Sequence, residues 1–164
     1  MKEKGQVLAR IIRLPLLRFA VLAAALLCAL CSGAQSTGRA VLKRQLEETI
    51  ASIRAGETLT IRTNAARRLA ELTRSIDPEE VDDPTLKELV SLLSTNEDSV
   101  RAWVAASLGH LGPRGKVAIP VLLKLLPEVD CLGGDLTSAP AIRRALERMG
   151  ETPPPRPECR AASR

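Results

Sequence analysis

The stretch Asp98-Ser-Val-Arg101-Ala-Trp-Val-Ala-Ala-Ser-Leu-Gly-His-Leu-Gly112, followed after five residues by Ala118-Ile-Pro-Val-Leu-Leu-Lys-Leu-Leu126, decides the fold. Its Leu/Ala-rich periodicity predicts two consecutive helices. The first opens at Asn96 or Asp98 and stops at Gly112-Pro113; the second runs from Gly115 to Leu126 with Pro120 near its start. Both halves recur elsewhere. Ile61-Arg62-Thr-Asn-Ala-Ala66-Arg-Arg-Leu69-Ala-Glu-Leu72 matches Val100 to Leu111 at an offset of 39. Leu89-Val-Ser-Leu-Leu93 matches Leu122 to Leu126 at an offset of 33, and Leu108 to Gly112 matches Leu146-Glu-Arg-Met-Gly150 at an offset of 38. A helical hairpin of this length cannot bury its apolar faces alone, so repeats of this period call for stacked neighbours.

The flanking segments read as helices too. Thr37 to Ala55 places Val41, Leu42, Leu46, Ile50 and Ile53 at helical spacing and ends at Gly56. Thr58 is an expected N-cap for a helix reaching about Ser75, broken by Asp77-Pro78. Asp83-Pro84 predicts an N-cap with Pro at the first helical position, opening a helix that ends near Thr95. A last helix spans Pro140 to Met149 and stops at Gly150. Nothing alternates as a strand would, and the order is A–B–A–B–A behind one extra helix.

The sequence from Asp98 to Leu126 resembles a HEAT repeat, in particular the short bacterial HEAT-like type of the phycobilisome lyases. An acid, Val-Arg, Ala-Ala-x-Leu-Gly-x-Leu-Gly and then Ala-x-Pro-x-Leu carry the likeness. It extends over roughly residues 60–150. It implies an all-α, right-handed solenoid of about two and a half helical-hairpin repeats, with residues 35–57 as a capping helix, 58–150 as the repeat domain and 151–164 as a Pro-rich tail. It also implies a structural polar ladder built on Asp98 and Arg101. The first repeat departs from the pattern, with Thr60 before Ile61-Arg62 and no turn acid.

The N-terminus reads as an address. Lys2, Lys4, Arg10, Arg13 and Arg18 precede the uncharged run Phe19 to Cys31, and Ser32-Gly33-Ala34 supplies small residues at −3 and −1. That is the layout of a secretory signal peptide over residues 1–34, cleaved after Ala34. The uncharged stretch from Phe19 to Thr37 also approaches a spanning length, so an uncleaved anchor is the rival. Neither Cys28 nor Cys31 has the neighbours of a lipid-modified cysteine.

Cleavage changes what the charge means. The whole chain of 164 residues carries a formal +5. Five of its 24 basic residues and one of its 19 acids precede residue 35, which leaves 19 against 18. A nearly neutral chain with one Trp and no Tyr lacks both the positive surface and the aromatic platforms of a nucleic-acid binder. Aromatic sugar-binding platforms and a β-sandwich are disfavoured by the same composition.

Cys131 and Cys159 remain in the exported portion and are expected to form a disulfide. The loop they close, 28 residues by number, is worth about 3.5 kcal/mol on a chain-entropy estimate. Free thiols are the rival reading. One His and no further Cys make zinc improbable, and no cofactor is expected.

Catalytic equipment is sparse. His110 has no nucleophile or orienting partner at a useful spacing. Gly109-His-Leu-Gly-Pro-Arg-Gly115 lacks the strand and Gly-Lys-Ser/Thr ending of a phosphate loop, and Glu79-Glu80-Val-Asp82-Asp83 lacks the spacing of a calcium loop. Arg67-Arg68 and Arg143-Arg144 read as solvated helix faces. Trp103 is either a packing residue or an interface anchor. The resemblance implies that the B helices line a concave face, with Lys87, Ser91 and Lys124 as contact positions. The function expected is therefore a non-enzymatic, monomeric protein-binding module or scaffold outside the cytoplasm, periplasmic or secreted. A lyase-like enzyme or enzyme accessory is the alternative suggested by the family, and a membrane-tethered assembly factor is the alternative if the signal is retained.

Overall fold

A computed structural model describes residues 38–132 and 137–159. The chain divides into two compact units, Met1–Leu42 and Lys43–Arg164. The expected signal segment 1–34, with Cys28 and Cys31, lies outside the described residues. Of the first unit only 38–42 are described, as the start of helix α1, residues 38–55. The described residues are helical or irregular, with no strand among them.

In the second unit, α1 buries Leu46, Ile50 and Ile53, the i, i+4, i+7 positions of one stripe. Helix α2 spans Leu59–Ser75 behind the expected cap: the Thr58 hydroxyl accepts the Ile61 N–H at 3.3 Å. It buries Ala66, Leu69, Ala70 and Thr73 and ends where Asp77, held extended by Pro78, opens a short 3-10 turn. Helix α3 covers Asp83–Ser91, tightening into a 3-10 turn over Leu92–Ser94. Its cap is Asp82, one residue before the expected Asp83, with the Thr85 N–H donating to its carboxylate at 2.9 Å. Hydrogen bonds from the Thr85 side chain, from Lys43 and from the Thr85 N–H bring the Asp82 carboxyl down to about 2. Asp83 instead accepts from Arg114 at 2.9 Å.

Helix α4, Asp98–His110, is buried more widely than its neighbours, at Val100, Val104, Ala105, Ser107, Leu108 and Gly109. The reason is its position between two helices: α2 packs on one side and α6, Ala139–Arg148, on the other. Gly109 permits the close approach to α6, since a Cβ there would stand 2.8 Å from the Ala145 Cα. A 3-10 turn over Gly112–Ala118 leads into α5, Ile119–Asp130. The sequence pattern ends this helix at Leu126, yet it continues one turn past Pro127. That last turn is held by buried Val129 and by Asp130, whose carboxylate pairs with Arg143 of α6. Helix α6 closes at Gly150, φ +83°, with Gly150 N–H donating to Glu147 O at 3.0 Å and Glu151 N–H to Leu146 O at 2.9 Å, a Schellman cap that needs a left-handed residue.

Several cross-helix bonds fall within a narrow range of sequence intervals, apart from Arg143–Asp130 between α5 and α6, 13 residues apart. Lys43–Asp82, Arg54–Ser91, Arg62–Glu97, Thr63–Ser99, Thr73–His110 and Asp98–Ser138 are separated by 39, 37, 35, 36, 37 and 40 residues. These bonds join α1 to α3 and its cap, α2 to α4 and its cap, and α4 to the start of α6, at intervals close to those of the internal sequence matches.

Cys131 and Cys159 are joined by a disulfide, with Cα atoms 5.3 Å apart. Beside it Arg143 donates to Asp130 and, at 2.7 Å, to the Pro154 carbonyl, so the Pro-rich tail is held to α5 and α6 at two points. Arg143 is therefore a half-buried clamp rather than part of a solvated face.

Candidate functional site

Two arrangements of polar side chains stand out, one structural and one open to solvent. The structural one runs past the N-termini of α2, α4 and α6. Arg62 donates to the Gly56 carbonyl at 2.6 Å and, 39 residues on, Arg101 donates to the Thr95 carbonyl, each reaching back six residues to fix the turn before its helix. Arg62 also binds the Glu97 carboxylate, with Nε 2.8 Å from Oε2. Asp98 sits 3.3 Å from Arg101 and accepts both the backbone N–H and the hydroxyl of buried Ser138, each at 2.6 Å. The acid for Arg62 thus comes from the residue before α4. No spacing within one helix could have identified Glu97 or Ser138.

Asp98→Ala removes the acceptor of two buried donors. A stranded buried polar group costs about 1–3 kcal/mol. We expect a loss of about 2–3 kcal/mol by chemical denaturation, with much less further loss when Ser138→Ala is added. Equal, additive losses would show that the two side chains are not coupled.

The open arrangement is a groove of about 330 Å³ across the outer faces of α2, α4 and α6. Trp103, half-buried, forms one end with Pro140 and Ala141. His110 forms the other with Arg74 and Arg148, while Ala106 and Arg144 lie between. Trp103 and His110 are seven residues apart on α4, which spans about 10 Å. Arg54, Arg62, Arg101, Arg114 and Arg143 have carboxylate partners, whereas the groove's Arg74, Arg144 and Arg148, like Arg44, Arg67, Arg68 and Arg156 elsewhere, have none among the described residues.

His110 is anchored rather than free. Its Nδ1–H donates to the Ala70 carbonyl at 3.0 Å, with the Thr73 hydroxyl 3.4 Å from the same nitrogen. Because a carbonyl only accepts, the neutral ring carries its proton on Nδ1 and leaves Nε2 as a lone pair. Burial pushes the imidazole below its ordinary 6.5, Arg148 and then Arg74 push it further, and the Ala70 bond opposes them. With the folded value below the unfolded one, the unfolded chain binds the extra proton first. The stability is whole above pH 6.5 and drains away as pH falls from there through the folded value. His110 is the one histidine, so His110→Gln should flatten the urea stability curve between pH 7 and 5. An unchanged slope in that variant would remove the assignment.

The residues expected to contact a partner lie on three helices. Lys87 and Lys124 are exposed on α3 and α5. Ser91 is exposed on α3 but engaged, accepting from Arg54 at 3.0 Å and donating to Glu88 O at 2.7 Å. Trp103 lies on α4, in the arginine groove. The sequence missed Arg74 and Arg148 as its companions. Arg144 and Arg148 stand at i, i+4 on α6, a face readable once the helix is placed, but Arg74 joins them only through the packing of α2.

Among the described residues no group of three His, Cys, Asp or Glu side chains is placed to hold a metal ion, and no helix is long and apolar enough to cross a membrane. No family model, no curated protein and no solved structure matches the chain.

Proposed function

We propose that this chain is an exported HEAT-like solenoid that works as a non-enzymatic protein-binding module. The observation that carries the reading is the recurrence of cross-helix bonds at 35–40 residues, matching the internal sequence offsets. Elements that contact their counterparts one period along build an extended face, and such faces serve as binding surfaces in repeat proteins. On this reading α1 and the last helix with its tail are the two caps, and Lys87, Ser91 and Lys124 belong to the concave row. The Cys131–Cys159 disulfide supports an oxidising compartment, as expected after removal of residues 1–34.

Affinity capture of the tagged protein from the cell envelope tests the module. The expected result is a stoichiometric complex with one protein partner. Recovery of the chain alone, with no partner under any growth condition, contradicts it. Intact mass on the same sample should show a chain beginning at Gln35 and lighter by two hydrogens. A mass beginning at Met1 would instead favour the membrane-tethered form.

A further inference from the structure

Seven arginines lack a carboxylate partner among the described residues, and three of them, Arg74, Arg144 and Arg148, are brought together in the α2–α4–α6 groove. Like charges gathered without counterions repel one another, and His110 beside them is pushed toward its neutral form by burial and by Arg148 and Arg74. A carboxylate placed there would relieve that repulsion, and guanidinium forks suit carboxylates in bidentate geometry. The other end is apolar: Trp103, Pro140 and Ala141 offer a flat surface without charge. Trp is a common anchor at binding hot spots. The groove therefore has a polarity, apolar at one end and cationic about 10 Å away, which equals about three residues of extended peptide. A free phosphate would leave the Trp103 end unfilled, and a nucleic acid would find one aromatic face and no second platform on which to stack.

We propose that this groove binds an acidic segment of a partner protein, seating an apolar side chain on Trp103 and carboxylates two to four residues away on Arg144, Arg148 and Arg74. The proposal rests on the binding-module reading and names its ligand. It fails separately from that reading: a partner captured from the envelope equally well by an Arg144→Gln/Arg148→Gln variant would leave the module standing and remove the groove.

The test is selection of a displayed random octapeptide library on the full chain, disulfide intact, at pH 7.5 and low salt, in parallel with Arg144→Gln/Arg148→Gln. Both arginines lack carboxylate partners among the described residues, so the variant should melt within a few degrees of the parent. The expected outcome is enrichment of Asp and Glu two to four positions from Leu, Ile, Met or Phe, absent on the variant. Trp103, the one tryptophan, then reports directly. A selected peptide should shift its emission saturably, and replacing the peptide's acids by Asn and Gln should weaken binding about tenfold or more, the factor that about 1.4 kcal/mol represents. No enrichment, enrichment that survives in the variant, or an equal saturable shift with inorganic phosphate or phosphatidylglycerol vesicles would overturn it.

Discussion

Gly109→Leu should cost about 4 kcal/mol and lower the melting temperature by roughly 15 °C. The Cβ position at 109 lies 2.8 Å from the Ala145 Cα and 3.1 Å from its Cβ. These are atoms of the α6 backbone and its first carbon, so no rotamer change can clear them, and α6 must shift as a body. Overpacking ordinarily costs about 1–3 kcal/mol where side chains can yield; here they cannot. Gly109→Ala makes the sharper comparison. In an exposed helix Gly→Ala stabilises by about 1 kcal/mol, whereas at 109 it should destabilise. A neutral or stabilising Gly109→Ala in urea titrations would show that α4 and α6 do not approach as described.

Cys131→Ser with Cys159→Ser should cost about 3.5 kcal/mol, the loop-closure estimate for a separation of 28 residues. The loss should be concentrated at one end of the molecule. Arg143 still grips Asp130 and the Pro154 carbonyl, so the tail is loosened rather than released. Hydrogen exchange in the double variant should quicken first at the Glu151 amide and in the last turn of α5. That turn already lacks one backbone bond because Pro127 has no N–H. Unchanged exchange and an unchanged urea midpoint would mean that Arg143 alone holds the tail.

The helices were legible because their ends are written in local chemistry. Thr58, Asp77-Pro78, Gly112-Pro113 and Gly150 each stop or start an element for reasons confined to a few neighbouring residues. Where competing local signals existed, the boundary moved: Asp82 and Asp83 are both competent caps, and the choice went to Asp82 because Lys43 also reaches it while Arg114 takes Asp83. Pro127 reads as a terminator until Asp130 is seen paired with Arg143. The disulfide followed from counting cysteines. What stayed hidden was every relation one period apart. Asp98 and Arg101 are visible as an i, i+3 pair, but Glu97 with Arg62 and Asp98 with Ser138 exist only through the packing of α2, α4 and α6. The groove is of the same kind: Trp103 was conspicuous from composition, while its companions come from three helices.

The most direct measurement is photo-crosslinking from single positions of the full chain in cells, with a photoreactive residue placed at 103, 87 or 124 in turn. The expected result for the binding module is a discrete adduct to a protein partner from at least one of the three positions, and for the groove an adduct from position 103 crosslinked within an acidic segment. Absence of any protein adduct at all three positions would contradict the binding module itself. Adducts from 87 and 124 with none from 103 would place the partner on the other row of helices and leave the Trp103 groove without a ligand.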